Sequence, residues 1–295
     1  MKGYAALRDA VATHRFDAVG LVTIVGRDAL SFVQSLASQD LDGMAVGASR
    51  RSLLLEPQGK LTAEFRVLRH GEEELWLRCE PAVAPLLAAG LARFKIRVAV
   101  EIADRSAEFA AIAIRGPLAG TVAPAADTTE GLGEIALDWP GLPGRELIGP
   151  VDVIDRLSFP GIEPADAEAY ETVRIECGVP RQPVDIDEQT IAQEAALEVD
   201  AVSFTKGCFL GQELVCRIDS RGHVNRFLRI VSASEPMAAA DELVADGGKV
   251  VGVVTSAAVS PRRGPIGLAT LRREIEPGST VRGRAGAILV ESLPA

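Results

Sequence analysis

The chain has 295 residues, 47% of them hydrophobic and 24% charged, enough length and apolar content for two or three compact units with their own cores. A formal net charge of −10 argues against the basic surface of a nucleic-acid binder. The longest nearly uncharged apolar stretch, Pro81 to Ala92, falls well short of the roughly 20 residues of a membrane span, and the N-terminal MKGYAALRDAVATHRF lacks the apolar run of a secretion signal, so a cytoplasmic protein is expected.

The first hundred residues alternate strand and helix signals. Gly20 to Val25 is β-rich, and the following ALSFVQSLAS places Leu30, Val33, Leu36 and Ala37 on one helical face, with Asp28 as the expected N-cap. Ser52 to Leu55 and the alternating Leu61, Ala63, Phe65 and Val67 flank Pro57-Gln58-Gly59, which reads as a hairpin between half-buried strands. A strand over 75–79, a helix over 81–94 and a strand over 96–102 follow. The economical arrangement is α+β, antiparallel strands with helices on one face.

Phe109 to Ile114 reads as another strand, and Pro124 to Pro150 is rich in proline and glycine. Pro164 to Cys177 reads as a helix that Gly178 and Pro180 stop. From Arg226 onward the chain turns into short β-runs with Gly and Pro turns: FLRIVSAS, KVVGVVTSAAV, IGLATL, STVRG and AILVES. Such strands with almost no helix signal imply a small barrel or sandwich, and the boundary is drawn near Gly222.

Cys79, Cys177, Cys208 and Cys216 show no C-x-x-C spacing, and His14, His70 and His223 form no H-E-x-x-H pattern. No protein-ligated metal is expected, and the histidines read as surface residues. Two windows run against the overall acidity: Lys206 to Arg229 holds five cations and two acids, and Pro261 to Arg284 holds six arginines and two acids. They fit an anionic ligand better than the rest of the chain does, although by themselves these arginines read more readily as the solvated faces of strands. The densest chemistry is in Phe204-Thr205-Lys206-Gly207-Cys208-Phe209-Leu210-Gly211-Gln212-Glu213. Lys206 brings a positive charge beside Cys208, and a helix starting at Gln212 would favour a thiolate nearby. The other reading is a small buried cysteine in a tight loop.

KGCFLGQE, followed by Arg217 and Arg221-Gly222, resembles the hallmark of YgfZ proteins, a branch of the glycine-cleavage T-protein (GcvT) family. IVGRDALSFVQ, LLLEPQGKLTAEFRV, AIRGP, RIECGVP, VVGVVTS and IGLATLRR fall in family order, so the resemblance spans nearly the whole chain. It implies a three-lobed fold around a central hole that holds tetrahydrofolate. Residues 1–222 would form two α+β lobes with exchanged segments, and 223–295 the C-terminal β-barrel. A reduced folate is thus the expected ligand, cofactor and partner, with iron–sulfur client or assembly proteins as further partners and no nucleic acid or membrane.

By the same resemblance, Cys208, Lys206 and Glu64 are the candidate catalytic residues. Gly207, Gly211, Gln212, Glu213, Arg174, Glu176, Glu194 and Arg221 are the candidate folate-binding ones, although Arg174, Glu176 and Glu194 could equally be ordinary surface ion pairs. With aromatics at only 4%, ring stacking is expected from aliphatic side chains and from Phe65, Phe204 or Phe209.

T-proteins transfer a one-carbon unit to tetrahydrofolate, and a carboxylate pair after the glycine hairpin looks important there. Here that pair is reduced to Ala63-Glu64. The first expectation is therefore support of iron–sulfur cluster assembly or repair, in which Cys208 either reacts near the folate or only packs its loop. A folate-dependent aminomethyl- or methyltransferase is the alternative, and an RNA-binding module using the two basic windows a third reading.

Overall fold

The computed structural model describes residues 1–125, 130–137 and 139–294, so part of the Pro- and Gly-rich passage lies outside the described residues. The chain opens with α1 (Tyr4–Asp9) and β1 (Ala12–Phe16). It continues through β2 (Gly20–Val25), α2 (Ala29–Leu36), β3 (Ser49–Leu55), β4 (Leu61–Gly71), β5 (Glu74–Cys79), α3 (Ala84–Ala92) and β6 (Glu101–Asp104). Next come β7 (Phe109–Arg115), β8 (Gly133–Ala136), β9 (Gly144–Pro150), α4 (Val151–Ile154), β10 (Glu163–Pro164) and α5 (Ala167–Glu176). A connecting stretch carries α6 (Glu198–Ala201) and α7 (Gln212–Arg221). The last strands are β11 (Arg226–Ala233), β12 (Glu242–Val244), β13 (Val250–Ser260), β14 (Gly264–Arg272), β15 (Thr280–Gly283) and β16 (Gly286–Glu291).

The first lobe is the sheet β3-β4-β5-β2-β6. The period-two alternation of β4 explains its orientation: Ala63, Phe65 and Val67 bury themselves with residues of α2 and α3, while Glu64 and Arg66 point the other way. The second lobe is the sheet β10-β1-β7-β9-β8, so the chain starts in this lobe, builds the first, and returns. The strands β11-β14-β13-β12-β15-β16 close into a barrel, which leaves no edge to cover. Val231, Leu243, Val254, Leu271 and Ile288 are among the side chains of its core.

Helix α5 joins the lobes to the barrel. Asp166 caps it, accepting from the Ala169 amide at 2.7 Å. Gly178, at φ 67°, ends it, and a Cβ there would lie 2.7 Å from Pro294. Asp185, whose side chain is buried, accepts from Arg174, Thr255 and Ser256 and so ties α5 and the connecting stretch to β13. Among the described residues no helix is long and apolar enough to cross a membrane.

Two local expectations change. Asp28 sits at the N-cap of α2, but its carboxylate accepts from the Ala99 amide instead of capping the helix. The strand expected over 96–102 forms only at Glu101–Asp104, because the chain turns first, with Arg97 at φ 57°.

Candidate functional site

The three lobes, the connecting stretch and the C-terminal tail surround a central cavity of about 1170 Å³. The first lobe contributes Arg51, Glu64, Arg66, Arg78 and Glu80; the second contributes His14, Phe16, Ile135, Trp139 and Glu146. Tyr170 and Arg174 face it from α5, Gln193, Glu194 and Glu198 from the connecting stretch, Leu228 from the barrel and Leu293 from the tail.

One wall is aromatic. His14 stacks on Tyr170 at 4.4 Å between ring centroids, and Phe16 and Trp139 meet Tyr170 edge-on at 5.5 and 5.0 Å. Behind them the fully buried Arg115 lies 3.5 Å from the Trp139 ring centroid and donates to the Leu137 and Leu142 carbonyls. The expected stacking residues are elsewhere. Phe65 lies in the first-lobe core, Phe209 is buried in the core shared by the barrel and the connecting stretch, and Phe204 is exposed. His14 is a cavity residue as well, not a surface one.

Much of the remaining lining is charged. Arg78 Nε donates to Glu146 Oε1 at 2.6 Å, joining the first two lobes, and Arg51 Nε donates to Glu64 Oε1 at 2.8 Å. Burial opposes both arginine charges, yet Glu146 holds Arg78, and Glu64 with Asp200 holds Arg51, above the usual arginine pKa. Burial also pushes Glu80 and Glu198 above the usual carboxylate range. Gln193 Oε1 and Glu198 Oε2 are buried acceptors without a hydrogen bond among the described residues. Glu194 Oε2 accepts from the Ile191 amide and from Arg226 Nε at 3.0 Å. This corner offers acceptors to a ligand edge rich in N–H donors, such as an aminopyrimidine.

The candidate residues read from the sequence divide into three places. Glu64, Arg174 and Glu194 line the cavity. Arg174 is committed to Glu171, Asp185, Ser256 and the Val179 carbonyl. Glu176 instead accepts from Tyr4 Oη and Ser260 Oγ and pairs with Arg8, linking α1, α5 and the barrel outside the cavity lining.

The remaining candidates belong to α7 and to the loop that leads into it. Lys206 Nζ donates to the carbonyls of Gln34 and Ala37 at 2.7 Å and of Gln39 at 3.0 Å, satisfying acceptors at the end of α2. Burial lowers its pKa to about 8. Gly211 has φ 79°, and a Cβ there would lie 2.6 Å from the Glu56 carbonyl oxygen, so this residue must be glycine for the loop to meet the β3–β4 turn. Gln212 opens α7, Glu213 pairs with Arg217 on its exposed face, and Arg221 is exposed in its last turn. Cys208 is exposed and is not among the residues lining the cavity, so it does not pack its loop. A Cβ at Gly207 would meet nothing within 4 Å.

Sequence reasoning missed Arg51, Arg66, Arg78, Trp139, Tyr170, Gln193 and Glu198. For the arginines a signal existed, because Arg66 has the same parity as Glu64 on β4. The position of the missing T-protein carboxylate is also informative: Ala63 faces the first-lobe core, whereas Glu64 faces the cavity.

Residues 2–138 match the family model of the GCVT N-terminal domain. The whole chain superposes on the glycine cleavage system aminomethyltransferase T from Bartonella henselae with a TM-score of 0.84 at 21% identity, covering 99% of this chain and 88% of that one. The fold is therefore GcvT-like, three lobes with a closed six-stranded barrel. An aminomethyltransferase of Nostoc sp. is 27% identical, over 90% of this chain and 78% of its own length. The iron-sulfur cluster assembly factor IBA57, mitochondrial, of Mus musculus is 28% identical, over 88% and 77%. The domain match covers residues 2–138, and the likeness in fold extends over the rest of the chain.

Proposed function

We propose that the chain binds a reduced folate, tetrahydrofolate or a derivative, in the central cavity and supports the assembly or repair of iron–sulfur clusters. The observation that carries the folate reading is the acceptor corner of Gln193, Glu194 and Glu198, with two buried and unpartnered oxygens, set in a cavity that also has an aromatic wall. A pterin needs acceptors for its amino edge and apolar surface for its rings. Gln193, Glu194 and Glu198 would hold that edge, and Phe16, Trp139 and Tyr170 would supply apolar surface. Bound there, a reduced folate supplies one-carbon carrier chemistry. The cluster-assembly part rests on the likeness to the mouse assembly factor and on the outward-facing thiol of the KGCFLGQE loop.

The second reading, a folate-dependent aminomethyl- or methyltransferase, is favoured by Glu64, the carboxylate on the cavity face of β4, and by the aminomethyltransferase relatives. Against it stands the pairing of Glu64 with Arg51, which already occupies one oxygen of the carboxylate.

Titration of the purified chain with tetrahydrofolate and folic acid tests the first part, and tighter binding of the reduced form is expected. Formation of methylene-tetrahydrofolate from an aminomethylated lipoyl carrier would decide for the transferase. Folate binding without turnover, together with loss of iron–sulfur enzyme activity in cells carrying Cys208→Ser, would decide for the assembly role.

A further inference from the structure

Across the first sheet, Arg51, Arg66 and Arg78 occupy directly opposed positions on β3, β4 and β5. All three line the cavity. Like charges opposed on neighbouring strands repel, so a row of three cations requires compensation.

Two members have it. Arg51 pairs with Glu64 and with Asp200, and Arg78 pairs with Glu146. The middle one has no direct partner, and Glu64, Asp200 and Glu146 favour its charge only from a distance. Arg66 makes no ion pair among the described residues, and its one hydrogen bond runs from Nη1 to the Ala136 carbonyl oxygen at 3.2 Å. Burial, with Arg51 alongside, lowers its pKa below the usual arginine value, yet a guanidinium stays charged near neutrality. Most of its donor fork is therefore left without a protein acceptor, on the cavity face of a strand.

The geometry points to Arg66 as the seat of an oxyanion, a carboxylate or phosphate carried by what the cavity binds. A planar guanidinium matches either group with two parallel hydrogen bonds. An anion there would also screen the repulsion along the row. The oxyanion has two sources: the carboxylate tail of the folate, in which case this inference rests on the reading above, or a separate small acid. The cavity volume of about 1170 Å³ leaves room for the second, since pockets for one drug-sized ligand run to about 300–1,000 Å³.

The competing role for Arg66 is a clip that holds β8 through Ala136. Arg66→Gln separates the two, because glutamine keeps an N–H donor for that carbonyl and loses the charge and the fork. The full chain and this variant are titrated calorimetrically with tetrahydrofolate, with a tetrahydropterin that lacks the benzoylglutamate tail, and with inorganic phosphate, and both are melted without ligand. The expected result is an unchanged melting temperature, tetrahydropterin binding within about twofold, and at least one anionic probe weakened about tenfold or more.

Weakening of tetrahydrofolate alone assigns the anion to the tail, and weakening of phosphate alone assigns it to a separate acid. Phosphate binding that depends on Arg66, with neither pterin binding, would sink the folate reading and leave the anion site standing. The inference is overturned if both anionic probes bind the two proteins equally, if the full chain binds neither, or if tetrahydropterin weakens as much as they do. Should the glutamine variant melt lower, Arg66→Lys carries the test: it keeps the charge without the fork, must weaken an anionic probe severalfold, and overturns the inference by binding both equally.

Discussion

In the central cavity, charged side chains from different lobes meet, and Arg78 with Glu146 and Arg51 with Glu64 neutralise one another, whereas in the Lys206–Gly211 loop the reactive group is exposed and the flanking residues do the holding. Arg78 and Glu146 meet across 68 residues of chain, and each makes its only ion pair among the described residues with the other. Lys206, Phe209, Leu210 and Gly211 are committed to α2, the cores beneath and the β3–β4 turn, and this leaves Gly207 and Cys208 of that run free of packing duties. One region thus depends on the relative placement of lobes, and the other on a short segment held at both ends.

The largest effect is expected where the comparison is broken in the cavity. Arg78→Ala leaves the Glu146 carboxylate buried without its cation and should cost about 3–5 kcal/mol in a denaturant unfolding series. A loss below about 1 kcal/mol would mean that solvent reaches Glu146 and that the wall is less closed than described. Gly211→Ala attacks the other region, forcing a Cβ onto the Glu56 carbonyl at positive φ. It should cost about 1–3 kcal/mol and leave tetrahydrofolate affinity near its original value, because the loop does not line the cavity.

A smaller change, of opposite sign, is expected for Glu198→Gln. Burial raises the Glu198 pKa in the folded state, so its ionised form costs stability above the carboxylate range, and the cost disappears as pH falls through that range and both states protonate. The variant should therefore melt higher than the parent at pH 7, converge with it in acid, and bind tetrahydrofolate more weakly. A rise that persists in acid would assign the gain to packing instead. Cys208→Ser should move stability least, within about 0.5 kcal/mol. In the folded parent a thiol reagent should modify Cys208 first, while Cys79, whose pKa burial pushes to about 12, and the buried Cys177 react only on unfolding.

Much of the fold is legible because local periodicity reports which face of an element is buried. The alternation through Leu61, Ala63, Phe65 and Val67 sets β4, and Gly178 ends α5. The β-runs after Arg226 correspond to five of the barrel strands, while β12, only three residues long, is too short to carry a pattern. α1 and β1 were missed for another reason: β1 is stabilised by pairing with β7 about a hundred residues later and with the two-residue β10.

The candidate site was less legible. Glu64, Arg174 and Glu194 were found through resemblance, but the aromatic wall draws His14, Phe16, Trp139 and Tyr170 from segments that share no motif. The conspicuous Lys-Gly-Cys run proved to lie apart from the cavity lining.

By itself the chain's order of residues determined the α+β character, the β-rich C-terminal unit and the polar faces of the strands, since each depends on neighbours a few positions away. Only the tertiary structure decided what those polar faces meet. Arg51 and Arg78 find carboxylates brought from other segments, and Arg66 between them makes no ion pair among the described residues, because compensation of a buried charge depends on distance in space and leaves no trace in local pattern.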